Sequence, residues 1–367
     1  MSIIHRKLNM LRGVVLAAAA GGIVAATPSA AQVIDLAGQT VTLIHNAAPG
    51  GSTGLGAQLA AEAWSKTMAG KPTIVVQSVE GGALSKGILQ VLNARPDGKT
   101  ISWVAWSGAT RVLDPVELQI PFKKFGLIGG VGGAHFFVHA DTKLGGGIAK
   151  SEEFVEKVKS FTFGGFNAKS ASSMRTAGAM DMLGVDYKFV SGFNGDAPLF
   201  AAMQRGEIDG YPATGVTYNR SLKNESIKEG KSLGLFYFSP VGEDGKMVKD
   251  PLMPELETFN EYYKRVKGEE PSGPIWEMMK FHGATADRVN WLVAAPPGTP
   301  EEHLQMLRES FAQAMEDPEF IAGAERVFGQ KPVVIPFPEI GTIVDAVANT
   351  DPALLDTMRG YLQKMEQ

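Results

Sequence analysis

Val41-Thr-Leu-Ile-His-Asn-Ala-Ala-Pro49-Gly50-Gly51-Ser52-Thr53-Gly54-Leu55 is the stretch from which the fold can be read. Its apolar first half has the character of a strand, and Pro-Gly-Gly is a turn. The alanine-rich run to Trp64 places Leu55, Leu59 and Ala63 at helical spacing. Strand, tight turn and helix thus follow in direct succession. Glycines at 50 and 51 allow the backbone to approach a ligand closely, and Ser52 and Thr53 are suited to capping the helix while its N–H groups face outward. A helix start of this kind binds anions through amides, hydroxyls and the helix dipole, so it requires no metal and no cofactor. Pro49, Gly50, Gly51, Ser52 and Thr53 are therefore candidate ligand-binding residues.

Outward from this unit the pattern repeats. Thr73 to Gln77 reads as a strand, Gly81-Gly82 as its turn, and Leu84, Ile88, Leu89 and Leu92 as the buried stripe of a helix. Such alternation argues for a parallel, covered α/β sheet. Ile101 to Trp106 is a further apolar strand ending in Ser107-Gly108-Ala109-Thr110, at the carboxyl end where open α/β sheets place ligands. Ser107 and Gly108 join the candidates, and Trp106 is either a pocket wall or ordinary core. Phe161-Thr-Phe163-Gly164-Gly165 again gives strand and glycine turn, and Asn167, Ser170, Ser172 and Ser173 open the next helical run. Two hydroxyl-rich turns facing each other would clamp one small anion, although Ser and Asn are also ordinary caps. His135 and His139 do not form a metal site on this reading. Four residues apart in a strand they are separated by about 13 Å, too far to chelate one ion.

The first 31 residues carry Arg6, Lys7 and Arg12, then an apolar run from Gly13 to Ala26, then Ser29-Ala30-Ala31. This is the order of a secretory signal peptide, with cleavage expected after Ala31. Its removal leaves 32 basic against 39 acidic residues, a net charge of −7, which speaks against nucleic acid as a partner. The chain has no cysteine, which excludes disulfides, thiolate catalysis and a lipid-modified N-terminal cysteine.

Pro49-Gly50-Gly51-Ser52-Thr53, then Arg95-Pro96-Asp97-Gly98-Lys99-Thr100, then the run from Ser191 to Gly210, resemble in that order the periplasmic solute-binding proteins of tripartite tricarboxylate transporters. The resemblance extends from about Val41 to the C-terminus. It implies a two-lobed, type II-like periplasmic binding fold closing around a small organic carboxylate, which is passed to membrane permease subunits by a monomeric binding protein. It places the first lobe at 32–138 and 239–367 and the second at 139–238, with two chain crossings as the hinge, and it adds Gly195, Asp209 and Thr214 to the candidate site. Asp209 also reads as a simple turn former. The family has an aspartate where this chain has Gly54 and a histidine near Ser173. Without that aspartate the site offers no evident partner for a ligand ammonium group, so an amino-free acid with an apolar body is expected.

An enzyme reading competes. Gly50-Gly51-Ser52-Thr53-Gly54 fits the nucleophile turn of α/β-hydrolases, with Ser52 as nucleophile and His282 or His303 as base. The motif follows the first strand, however, and no oxyanion loop precedes it. No dinucleotide fingerprint, P-loop or zinc-protease motif is present either. Binding without turnover is the expectation.

Overall fold

The computed structural model describes residues 35–367 apart from 48, 83, 107–111, 115–118, 134, 194–195, 243–245 and 251–252, and of Val216, Asn219, Arg220 and Ser221 only the backbone. The signal-peptide reading and the candidates Ser107, Gly108 and Gly195 lie outside the described residues.

Val41, Leu43 and Ile44 in β1 (Thr40–His45) are buried, as the apolar pattern requires. β1 pairs in parallel with β2 (Thr73–Ser78) and with β3 (Thr100–Ser102). Parallel neighbours need a crossover, and the helices Ser52–Thr67 and Ser85–Leu92 supply them. The single strand expected from Ile101 to Trp106 is divided at Trp103. Its backbone N–H still donates to Ile44, but β4 (Val104–Ala105) leaves for a second sheet. There β12 (Val333–Pro336), β5 (Gly126–Gly132), β11 (Trp291–Ala295) and β4 lie in that order, all antiparallel. Gly132 in β5 is demanded by packing, because a Cβ there would fall 1.7 Å from the Arg288 carbonyl oxygen.

The second lobe is built on a five-stranded mixed sheet. Its order is β10 (Ser232–Phe238), β6 (Phe136–Asp141), β9 (Gly210–Thr214), β7 (Ser160–Gly164) and β8 (Asp186–Val190). Phe161, Phe163, Met174 and Met180 fill its core together with Phe259, Tyr262, Trp276, Met279, Met358 and Met365. The resemblance placed everything after 239 in the first lobe, and the packing divides that segment. Helices Phe259–Lys267, Pro274–Thr285 and Pro352–Met365 cover the second-lobe core. Helix Glu301–Met315 and helix Pro318–Phe328 pack on the first lobe, where Trp64 meets Phe311 and donates its indole N–H to Ser310. An apolar helix stripe announces burial, but not which sheet it will cover.

A candidate ligand-binding cleft

A cleft of about 440 Å³ lies among elements of both lobes. The opening turn contributes Gly50, Ser52 and Leu55, and the second lobe contributes Asp196, Thr214, Gly215 and Thr217. His135 lies between β5 and β6, and Trp291, Phe328 and Gln330 form a wall that is mostly apolar.

Gly50 adopts a positive φ of 81°, a conformation that favours glycine. Gly51 is the residue preceding the helix, at a φ of −74° that any residue can take. Ser52 and Thr53 do not cap, contrary to expectation. Both are already inside the helix, and the helix start has no side-chain cap and no acidic residue in its first turn. Thr53 is buried and accepts a hydrogen bond from Trp291 Nε1 at 3.0 Å, whereas Ser52 faces the cleft. The first-turn N–H groups are therefore uncapped beside the cleft, an arrangement suited to an anion.

The second lobe contributes an acid to the lining. Asp196 opens the helix Asp196–Gln204, where its charge complements the helix dipole. Its Oδ2 accepts from the hydroxyls of Thr217 and, at 3.5 Å, Thr214. Thr214 also accepts from the Thr217 backbone N–H at 3.2 Å, so one threonine both caps the turn Gly215–Thr217 and braces the carboxylate. Burial pushes the Asp196 carboxyl above its usual range, while hydrogen bonds from Thr217 and Thr214 pull the other way. The expected lack of a partner for a ligand ammonium group is thus corrected: a carboxylate lines the cleft, contributed by the other lobe rather than by position 54.

His135 Nδ1 lies 2.5 Å from Asp250 Oδ2. Asp250 is held in turn by its backbone N–H donating to the Tyr237 hydroxyl at 2.9 Å. With Nδ1–H committed to a carboxylate, Nε2 is the remaining polar ring atom. It accepts in the neutral ring and donates in the protonated one.

Other candidates sit elsewhere. Trp106 is core, 6% exposed and edge-on to Phe122 at 6.2 Å. Ser170 caps the helix Ala171–Leu183 by accepting from the Ser173 backbone N–H at 3.3 Å. Its hydroxyl donates to Ser173, and Ser172 and Ser173 are buried. Asn167 is exposed, and none of these four lines the cleft. Asp209 accepts from the Thr162 backbone N–H at 2.7 Å, a long-range tie between β7 and the entry to β9 and not the local contact of a turn former. Pro49 adjoins Gly50 without lining the cleft. His139 is fully buried, and neither of its ring nitrogens has a hydrogen-bond partner. Among the described residues no cluster of three or more acidic, histidine or cysteine side chains could hold a metal, and no helix is long and apolar enough to cross a membrane.

Architecture and cleft together define a two-lobed α/β fold. Solved structures specify it further. A TctC solute-binding protein from Polaromonas superposes with a TM-score of 0.63 at 17% identity, over 89% of this chain and 98% of that one. An R. palustris protein with adipate gives 0.62 at 16% identity, over 87% and 97%. MatC from Rhodopseudomonas palustris with bound malate gives 0.55 at 20% identity, over 89% and 97%. The chain has the fold of the tripartite tricarboxylate-type periplasmic solute-binding proteins. No protein-family model and no curated protein sequence matches it.

Proposed function

We propose that this protein is exported to the periplasm, captures a small organic carboxylate in the cleft and delivers it to a tripartite tricarboxylate-type permease. The observation that carries this reading is the uncapped N-terminus of helix Ser52–Thr67, which opens on a cleft completed by Thr214 and Thr217 of the other lobe. The malate and adipate named with two structures of the same fold support it. On the packing of the cores, the lobes would be roughly 35–132 with 291–348 and 136–285 with 352–365, joined near 133–135, 286–290 and 349–351. Closure about these crossings would bring the two cleft faces together. A thermal-shift screen of mono-, di- and tricarboxylates tests the proposal. An acid at a hundred times its dissociation constant adds about 2.7 kcal/mol of stability. If no carboxylate raises the melting temperature, the proposal fails.

One observation favours hydrolysis as a second reading: His135, paired with Asp250, lines the same cleft as Ser52. Among the described residues no hydrogen bond joins Ser52 to His135, and His282 is fully buried in the second-lobe helix Pro274–Thr285. Turnover of model esters that disappears in Ser52→Ala would establish the enzyme and displace the binder.

A further inference from the structure

Asp196 is a carboxylate that the cleft does not neutralise. Among the described residues its partners are the two threonine hydroxyls and the Thr214 backbone, all uncharged. The helix start beside it supplies only a partial positive charge, so this partly desolvated carboxylate retains a self-energy that a full cation would offset. Any second carboxylate brought beside it would add like-charge repulsion. At the other side of the cleft the uncapped helix start offers donors and no acid. The cleft thus has an anion-accepting face on one lobe and a cation-accepting face on the other, with Leu55, Trp291 and Phe328 available to a carbon skeleton.

From this polarity we propose that the ligand is an ammonium-bearing carboxylate, with its carboxylate at the Gly50–Ser52 helix start and its ammonium group at Asp196, Thr214 and Thr217. The proposal rests on the carboxylate-capture reading and narrows it. Asp196 acts as the specificity-determining residue. Its charge favours an amino acid over the same skeleton without nitrogen, and an ammonium over a hydroxyl, since only the former offsets the partly buried charge.

Calorimetry with matched probes tests this. The sets are L-aspartate, malate and succinate; L-glutamate and glutarate; and L-phenylalanine and 3-phenylpropionate. In whichever set fits the cleft, the amino member is expected to bind at least about tenfold tighter than the others, as one charge-assisted hydrogen bond supplies. Asp196→Asn keeps an acceptor for Thr217 and should cut the amino preference at least about tenfold. Asp196→Glu should restore part of the preference, which separates charge from a packing defect, and circular dichroism checks that each variant is folded. Equal or tighter binding of the amino-free or hydroxy member to the wild type overturns this inference and leaves carboxylate capture standing. An unchanged ratio in Asp196→Asn overturns the role of Asp196. Binding by none of these acids overturns this inference, while carboxylate capture falls only if the wider thermal-shift screen is also empty.

Discussion

Arg175 and Asp287 meet as a bidentate pair in which neither side chain is exposed: Nη2 lies 2.6 Å from Oδ1, and Nη1 donates to Oδ2. Arg175 belongs to the helix Ala171–Leu183, whereas Asp287 lies between the helix Pro274–Thr285 and β11, where the chain passes from the second-lobe core to the first-lobe sheet. The guanidinium also sits over Phe238 at 4.8 Å and near Phe136 at 5.9 Å.

Breaking this pair strands a charge. Asp287→Asn should therefore destabilise the protein by about 3–5 kcal/mol in urea unfolding, while Arg175→Met with Asp287→Leu should recover most of the loss. A loss under about 1 kcal/mol for Asp287→Asn, the worth of a surface pair, would contradict this account.

Acid sensitivity should come from buried imidazoles. Burial lowers His139 to about 3, and it lowers His282 to about 3 with Arg175 adding repulsion. A depressed folded-state value means that stability is full above the unfolded value near 6.5 and is lost as pH falls from there toward 3. Each histidine would cost about 1.4 kcal/mol per pH unit within that window. Urea midpoints at pH 7.5, 6 and 5 measure the slope, and His139→Leu should make it shallower by about one proton. An unchanged slope would rule out His139 as a source.

Neighbouring hydroxyls should separate binding from stability. Ser52→Ala, at the cleft, should leave the melting temperature unchanged while weakening carboxylate binding by about 1.5–3 kcal/mol. Thr53→Val should leave the buried Trp291 indole N–H without its acceptor and cost about 1–3 kcal/mol of stability. Calorimetry and thermal melts on both variants check the contrast. Reversal of the two effects would mean that Thr53, not Ser52, meets the ligand.

The opening unit was legible because its signals are local: Gly50 fixes a turn, and the alanine-rich run fixes a helix. The serines at 170, 172 and 173 resemble a second jaw in sequence because capping and ligand binding draw on the same residue types. Here the hydroxyls are spent on one another. Trp106 and Trp291 both lie at strand ends, and only the pairing of β11 with β4 and β5 decides which one lines the cleft. Asp196 stood beside the candidate Gly195, yet its meaning depends on Thr214 and Thr217, which reach it through the fold. His135 likewise gains its partner from Asp250, far along the chain. Contacts of that separation leave no periodic trace.

The wall formed by Phe328 and Gln330 has a consequence for biogenesis. The cleft begins at Gly50, but its last lining residues follow the helix Pro318–Phe328. On the proposed export, the emerging chain could not use ligand as a folding template until nearly all of it had crossed. Ligand would then act late, trapping the finished fold by mass action without guiding early collapse.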